Sequence, residues 1–294
     1  MERRIPMILD CDPGIDDAVA ILLAAAAPEI ELLAVTAAAG NVGLEHTSRN
    51  ARRVLPLAGR QVPVYAGASR PMFGPQVTAD AVHGADGLLG LPVPEPAFPL
   101  SQGTAWDAIL QASKRYPGEL VLVVTGPMTD LGIALAKDPS LAGRLAGVVA
   151  MGGASDFGND TPAAEFNILA DPEAAELVLR SGVRIAMCGL DVTHKAYFTR
   201  EDIRRLEALG TPQAEFAAAV IESGVDIHRR YGVEGSPMHD PCALLYALRP
   251  DLFTQVHCWA GVECKGRRSR GRTVIDAYSD AKRTPNCHWV TGVD

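Results

Sequence analysis

Four aspartates lie within eight residues near the start of the chain, in the stretch Asp10-Cys11-Asp12-Pro13-Gly14-Ile15-Asp16-Asp17. Carboxylates this close together repel one another unless a cation or a proton lies among them. Helix capping would explain only one or two of these four side chains. A hard cation bound by oxygen ligands would explain the whole group, and we therefore predict that this stretch binds a metal ion.

The acidic stretch lies between a predicted strand and a predicted helix. Residues 5–9 are almost continuously apolar, which is typical of a buried strand, and the apolar run 18–24 predicts a helix. Residues that follow the strands of an open α/β sheet lie at the edge where ligands bind. Pro13 and Gly14 shape the turn, and Gly14 is free to adopt a positive φ. We therefore expect the aspartates at a ligand-binding edge.

Apolar strands alternate with helices as far as about residue 193. Further strands are predicted at 31–36, 63–66, 120–124, 146–151 and 184–188, and helices at 45–57, 104–116, 129–137 and from 171 onwards. Such alternation is typical of a mostly parallel sheet, and the continuous apolar runs indicate strands buried on both faces. We predict an α/β fold: an open, mostly parallel, doubly wound sheet with helices on both faces.

After residue 193 the pattern changes. Helices are predicted at 199–209 and 212–231, and residues 238–241 are expected to lead into a further helix that continues through residue 248; strands at 256–265 and 272–277 are expected to pair antiparallel. The basic cluster 265–270 between these strands is expected to be a solvated hairpin turn. No linker or internal repeat is visible, so we predict a single domain over residues 1–294.

The composition disfavours several classes of protein. The formal net charge is −8, from 35 acidic and 27 basic residues, which argues weakly against a nucleic-acid partner. The longest apolar run, 18–27, is too short to span a membrane, and the first predicted strand begins too early to leave room for a signal peptide. The six scattered cysteines include no Cys-x-x-Cys pair, which predicts reduced thiols in a cytoplasmic protein.

Polar residues elsewhere in the chain would join the aspartates at the same edge. Asn41, Thr125 and Asp191 each follow a predicted strand, and the ends of parallel strands converge. The Gly- and Pro-rich loop 67–99 shows no periodicity. Long loops of this kind are usually functional or disordered, and His83 within the loop favours a functional role.

Two further motifs allow two interpretations each. Glu165 lies between the amides Asn159 and Asn167, which suits a polyol ligand because an amide both donates and accepts hydrogen bonds. An Asx-rich surface loop is the alternative for this segment. His239-Asp240 could be a base with its acidic neighbour or an ordinary helix cap.

The acidic stretch resembles the N-terminal signature of the inosine-uridine nucleoside hydrolases. Other blocks that resemble this family follow in the family order, as far as about residue 280, and it is their combination that is specific. These blocks are Gly40-Asn41, His83-Gly84, Thr125-Gly126-Pro127, Met151-Gly152-Gly153, Thr161 to Asn167, Ala170-Asp171-Pro172 and His239-Asp240-Pro241.

The resemblance implies hydrolysis of the N-glycosidic bond of ribonucleosides to ribose and a free base, on an α/β fold that binds Ca²⁺. Calcium would bind the carboxylates of Asp12, Asp17 and Asp240 and the backbone carbonyl of Thr125. Ribose hydroxyls and water would complete the calcium shell, with Asp12 as general base for that water and Asp10 in a supporting position. Hard oxygen ligands without a cysteine cluster agree with calcium rather than zinc.

The resemblance also assigns the substrate-binding residues. The ribose would contact Asp16, Asn41, Asn159, Glu165 and Asn167. His83 and His239 would line the base pocket, with Met151 and Phe166 also contacting the substrate. His239 would protonate the leaving base. Family members form homodimers and homotetramers, so a homo-oligomer is expected, with no nucleic-acid or membrane partner.

Two regions differ from the family pattern, and two other functions stay open. The segment 286–294 looks short beside the family's usual strand and final helix, and Tyr231, near His228, could reach the base pocket. One alternative is a phosphatase of the haloacid dehalogenase type, which also uses Asp-x-Asp after its first strand but needs a later lysine and acidic pair. The other is a non-catalytic nucleoside-binding protein on the same fold, which the presence of Asp12 and Asp240 disfavours. The sequence does not rank purine against pyrimidine nucleosides.

Overall fold

The computed structural model describes residues 4–229, 235–278 and 282–294. Within them the strands β1 to β11 are, in chain order, Ile5–Cys11, Ile30–Ala37, Val64–Ala66, Val121–Val124, Gly147–Met151, Ile185–Cys188, Tyr197–Phe198, Ser236–Pro237, Phe253–Glu263, Arg272–Asp276 and Cys287–Val293. The helices α1 to α12 are Ile15–Ala26, Leu44–Val54, Asp80–His83, Ala105–Arg115, Thr129–Lys137, Leu141–Arg144, Phe166–Ala170, Pro172–Arg180, Leu190–Thr193, Arg200–Glu207, Pro212–Arg229 and His239–Leu248.

Nine of the strands form one sheet in the order β10-β9-β11-β6-β5-β4-β1-β2-β3. Neighbours among β1 to β6 run parallel, whereas β9 runs antiparallel to β10 and β11. The strand order reverses at β1, which lies between β4 and β2. In an open α/β sheet such a reversal opens a crevice at the carboxyl ends of the strands. Asp12, in the turn after β1, and Asp16 and Asp17, in the first turn of α1, lie at this end of β1.

Helices cover both faces of the sheet because its central strands are apolar on both sides. Met7 and Leu9 of β1 belong to a buried cluster that includes residues of α1, α11 and α12. Ile8, between them, belongs to a second cluster with residues of α4, α5 and α8. The alternating burial of consecutive side chains follows from the two-residue period of a strand. The predicted doubly wound α/β sheet is therefore confirmed.

The elements after residue 193 also follow the prediction. β9 and β10 pair antiparallel, and the basic cluster 265–270 forms the connection between them. All six cysteines are free thiols, five of them buried. Among the described residues, no helix combines the length and the apolar character that crossing a membrane requires.

The last segment of the chain is part of the sheet, which the sequence did not indicate. β11 pairs parallel with β6 and antiparallel with β9, so it lies inside the sheet. Its Cys287, Trp289 and Val290 are buried, whereas His288, Thr291 and Gly292 interrupt the apolar pattern that would have predicted a strand. The segment that looked atypical is thus a strand between two others.

Candidate active site

A cavity of about 470 Å³ opens at the carboxyl ends of the central strands. Most of the residues that the sequence assigned to a site line it, and they come from turns after β1, β2, β4 and β5, from the loop 67–99 and from the start of α12. These residues are Asp16, Asn41, His83, Thr125, Met151, Asn159, Glu165, Phe166, Asn167, His239 and Asp240. The topology therefore brings together side chains that are up to about 220 positions apart in the chain.

The acidic side chains lie partly in the cavity wall and partly behind it: Asp16 and Asp240 line the cavity, whereas Asp12 and Asp17 are fully buried and are not part of its lining. Asp16, Asp17 and Asp240 each present a carboxylate oxygen within 4.8 Å of the other two, as in a group that could hold a metal ion. Asp12, which the resemblance makes a metal ligand, is not part of this group; it is fully buried, and its Oδ2 accepts a hydrogen bond of 2.6 Å from the backbone N–H of Asn41. Its Oδ1 has no hydrogen-bond partner among the described residues. A buried carboxylate oxygen in that position needs a cation or a proton beside it.

The pKa values of these acids are raised first by burial and then by the charges of their acidic neighbours. Burial, followed by the charge of Asp17, raises the pKa of Asp12 well above its ordinary value. Burial and the charge of Asp16 raise the pKa of Asp17 to about 7. Burial, followed by the charges of Asp16, Asp17 and Asp12, raises the pKa of Asp240 in the same way. The donor set consists of hard oxygens, and a bound divalent cation would relieve the repulsion among them.

Helix capping explains part of the acidic stretch. Asp17 Oδ2 accepts from the backbone N–H of Gly14, the N-cap of α1, at 3.0 Å. Asp17 Oδ1 accepts from Thr125 Oγ1 at 2.9 Å, which links the turn after β1 to the turn after β4. Asp12 and Asp240 cap no helix N-terminus in this way, since Asp12 precedes the cap and Asp240 follows the N-cap Met238. Capping therefore accounts for Asp17 and not for the cluster.

Gly14 is needed for its lack of a side chain rather than for its backbone angles. Its φ is −94°, so it does not use the positive φ that a glycine is free to adopt. A Cβ at this position would lie 2.3 Å from His83 Nδ1 and 2.7 Å from Asn41 Nδ2. The turn leaves this space because His83 and Asn41 must approach the backbone after β1.

His83 reaches the cavity from the long loop, where it ends α3. Its Nδ1 accepts a hydrogen bond of 3.1 Å from the backbone N–H of Ile15, and burial lowers its pKa. The ring is therefore neutral, with its proton on Nε2. The loop 67–99 thus supplies a residue that lines the cavity.

The segment 158–167 folds onto the sheet edge. Glu165 caps α7 with hydrogen bonds from Asn167 N at 3.0 Å and Ile168 N at 3.1 Å, and its Oε2 also accepts from Gly153 N at 2.9 Å. Asn159 Oδ1 accepts from Phe166 N at 2.9 Å. Glu165 and Asn167 are buried, so the surface-loop alternative is wrong for them.

Asn167 ties this segment to two strand ends. Its Nδ2 donates to the carbonyl oxygen of Thr125 at 2.7 Å and to that of Met151 at 3.2 Å. The carbonyl of Thr125, which the resemblance makes a calcium ligand, therefore already accepts one hydrogen bond and keeps a second lone pair.

His239 begins α12, and its Nδ1 lies 2.7 Å from Thr193 Oγ1. The cap of that helix is Met238, without a side-chain cap bond, so His239 is not the helix cap. Thr193, the last residue of α9, carried no signal in the sequence, because nothing in the local pattern places its hydroxyl beside His239.

Not every candidate from the sequence lies at this cavity. Asp191 accepts hydrogen bonds from the backbone N–H and the hydroxyl of Ser155, outside the cavity lining. Asp10 lies below the site, where its Oδ1 accepts from Thr36 Oγ1 at 2.6 Å. Tyr231 and the side chain of His228 lie outside the described part of the chain.

The family model described as "Inosine-uridine preferring nucleoside hydrolase" matches residues 7–294. The pyrimidine-specific ribonucleoside hydrolase RihA of Salmonella enteritidis PT4 is 43% identical over 293 residues, covering 99% of this chain and 94% of that protein. RihA of Citrobacter koseri is similar to the same extent, with 43% identity over 293 residues.

Solved structures give the same result. The purine-preferring ribonucleoside hydrolase from Gardnerella vaginalis superposes with a TM-score of 0.92 at 33% identity, covering 98% of this chain and 94% of that one. The plant nucleoside hydrolase PpNRh1 gives a TM-score of 0.91 at 31% identity, over 99% and 95% of the two chains. These matches decide against the phosphatase and against the non-catalytic binding protein. The chain belongs to the inosine-uridine preferring nucleoside hydrolase family and is a ribonucleoside hydrolase.

Proposed function

We propose that this ribonucleoside hydrolase depends on Ca²⁺ held by Asp12, Asp17, Asp240 and the carbonyl oxygen of Thr125. The observation that carries the proposal is the unpartnered, buried Oδ1 of Asp12 beside the group Asp16, Asp17 and Asp240. Oxygen-only ligands of this kind suit a hard cation. When bound, Ca²⁺ would orient the attacking water and lower its pKa.

Asp12 is the general base in this proposal. A base must lie within reach of the water proton and must be unprotonated when it acts. In this proposal Oδ1 would take the proton, because it has no hydrogen-bond partner among the described residues, whereas Oδ2 accepts from the backbone N–H of Asn41. The second condition holds when positive charge nearby offsets the burial that raises the pKa of Asp12.

The ribose is proposed to bind among Asp16, Asn41, Asn159, Glu165 and Asn167, which all line the cavity. Breaking an N-glycosidic bond develops positive charge on the sugar, as in other glycoside cleavages. The carboxylates of Asp16 and Glu165 would stabilise that charge. Glu165 is held rigidly by three backbone N–H groups, so it is preorganised for this role.

The leaving base is proposed to bind near His83 and His239, with Met151 and Phe166 on the cavity wall. His239 is the proposed general acid. His83, whose Nδ1 accepts from Ile15, would donate its Nε2–H to an acceptor on the base. The relatives differ in substrate preference: RihA is pyrimidine-specific, whereas the Gardnerella vaginalis enzyme is purine-preferring. We propose pyrimidine ribonucleosides as preferred substrates, because the RihA proteins share the higher identity, 43% against 33%.

Two substrates with different leaving groups distinguish the proposed general acid, His239, from the proposed general base, Asp12. The nitrophenolate group of nitrophenyl riboside leaves without being protonated, whereas the base of a natural nucleoside must receive a proton as it leaves. Asp12→Ala should abolish cleavage of both, because both need activated water. His239→Ala should slow uridine cleavage by about 10²–10⁴-fold, the usual contribution of general acid catalysis, and largely spare nitrophenyl riboside.

The same assays test the remaining parts of the proposal. Ribose release from uridine, cytidine, inosine and adenosine should rank the pyrimidines first, and faster cleavage of inosine would overturn that preference. Equal losses on both substrates in His239→Ala would remove its role as acid.

We also propose a cytoplasmic homodimer or homotetramer, for which sedimentation of the purified protein gives the mass.

A further inference from the structure

Thr193 is fully buried, and its hydroxyl oxygen lies 2.7 Å from Nδ1 of His239. We propose that Thr193 is a positioning residue: its hydroxyl fixes the orientation of the His239 ring, so that Nε2 is the nitrogen that gives its proton to the leaving base. This inference rests on the proposed role of His239 and adds a residue whose side chain does not line the cavity.

The hydrogen bond serves His239 before and after proton transfer. A hydroxyl both donates and accepts, so Thr193 can bond Nδ1 in the neutral and in the protonated ring. In the cleavage step the bond between C1′ and the base nitrogen breaks, and its electron pair leaves with the base. The base takes the proton from Nε2, and the neutral ring keeps its Nδ1–H bonded to Thr193. Nδ1 is therefore reserved for Thr193 throughout.

The hydroxyl of Thr193 hydrogen-bonds to His239. In the described part of the chain its Oγ1 bonds only to His239. A buried hydroxyl without a partner costs free energy, so this bond is favoured whenever both elements are folded. The ring of the next residue, His194, packs edge-on against His239, with ring centroids 5.6 Å apart and planes at 64°. Two consecutive residues of one turn thus hold the imidazole.

The backbone keeps this turn beside the start of α12 without help from the hydroxyl. Leu190 N donates to Gly153 O at 2.8 Å, which ties α9 to the turn after β5. Met238 N donates to Ala196 O at 3.0 Å, next to the pairing of β7 with β8. These bonds join backbone groups. Removing the Thr193 hydroxyl should therefore change the orientation of the His239 ring and leave α9 and α12 in place.

The test compares Thr193→Val, which keeps the shape and removes the hydroxyl, with Thr193→Ser, which keeps the hydroxyl. Thr129→Val is the matched control, since Thr129 is buried and its hydroxyl donates to Asp171 Oδ2 at 2.7 Å outside the cavity. Values of kcat and KM are measured on uridine and on nitrophenyl riboside.

We expect Thr193→Val to lower kcat on uridine by about 5- to 50-fold, less than the 10²–10⁴-fold of losing a general acid outright. KM on uridine and kcat on nitrophenyl riboside should change by less than about threefold, because neither depends on the proton from His239. Thr193→Ser should restore most of kcat, and Thr129→Val should change neither substrate. In a background of His239→Ala, Thr193→Val should cause no further loss, because it acts through the missing ring.

Several results would overturn the proposal. They are equal losses on both substrates, no loss in Thr193→Val, a Thr193→Ser variant as slow as Thr193→Val, or additive losses with His239→Ala. If Thr193→Val does not fold, Thr193→Ala takes its place, because alanine also lacks the hydroxyl and is smaller than threonine. Failure of the proposed acid is distinguishable, because His239→Ala itself would then slow both substrates equally.

Discussion

Asn41 shows at the scale of single residues how the acidic side chains are held apart from one another. Its backbone N–H donates to Asp12 Oδ2 at 2.6 Å, and its Nδ2 donates to Asp17 Oδ2 at 3.0 Å. The same Nδ2 donates to the backbone carbonyl oxygen of Asp12 at 3.1 Å. Both protons of the amide are therefore used to orient the acidic site, and its carbonyl oxygen is what remains for a ribose hydroxyl.

We expect Asn41→Ala to weaken Ca²⁺ binding by about 10–100-fold, as is usual when a group that orients metal ligands is removed. Isothermal calorimetry on metal-free protein measures the affinity. Asn286→Ala is the matched control, because its Nδ2 donates to Leu179 O and Ala260 O, outside the cavity. Unchanged calcium affinity in Asn41→Ala would show that the amide serves the substrate alone.

At the scale of elements, β11 supports the turns that carry the site. Trp289 is 2% exposed, and a Cβ on Gly153 or Gly189 would lie 2.9 or 3.0 Å from its ring. Gly189 precedes α9, the element that presents Thr193, and Gly153 follows β5. The ring of Trp289 therefore fills the space beneath two turns at the sheet edge.

Trp289→Ala should lower the free energy of unfolding by about 3–5 kcal/mol, the usual cost of removing a large buried side chain. Denaturant unfolding measures it. Trp259→Ala on β9 should cost less, since that ring is partly exposed and has the guanidinium of Arg283 over it. If the two variants lost the same free energy of unfolding, Trp289 would stabilise the fold no more than the partly exposed Trp259 does.

For the whole molecule, the sequence predicted the topology better than the contacts. The alternation of apolar strands and helices was sufficient for the parallel sheet, and the strand ends predicted which edge carries the site. β11 was missed, because His288 and Thr291 break its apolar pattern and only the neighbours β6 and β9 make it a strand. The proximity of Asp16 to Asp240, and the contact of Thr193 with His239, depend on side-chain directions that no local pattern encodes.

The stability of the whole fold should depend on pH through His288, whose ring stacks on that of His257 with centroids 4.6 Å apart. Burial, followed by the nearby His257 and Arg184, lowers the pKa of His288 from its ordinary value of 6.5. The unfolded chain then binds this proton more readily than the folded chain, so the stabilisation present above pH 6.5 is lost as the pH falls through that value.

Replacing His288 by threonine should therefore reduce the drop in Tm between pH 7.5 and pH 5.5, which thermal unfolding monitored by circular dichroism measures. His46→Gln, on α2 and away from β11, is the control and should keep the drop of the parent protein. A drop that is unchanged in His288→Thr would assign the pH dependence to other groups, such as buried His83, whose pKa is also lowered.

Ribose release from uridine by metal-free protein, before and after Ca²⁺ is added back, tests the central claim most directly. The account predicts that chelation removes nearly all activity, that Ca²⁺ restores it, and that Asp12→Asn stays inactive with Ca²⁺ present, because the base and a proposed metal ligand are lost together. Full activity in the chelated protein, or the rate of the parent protein in Asp12→Asn, would contradict it.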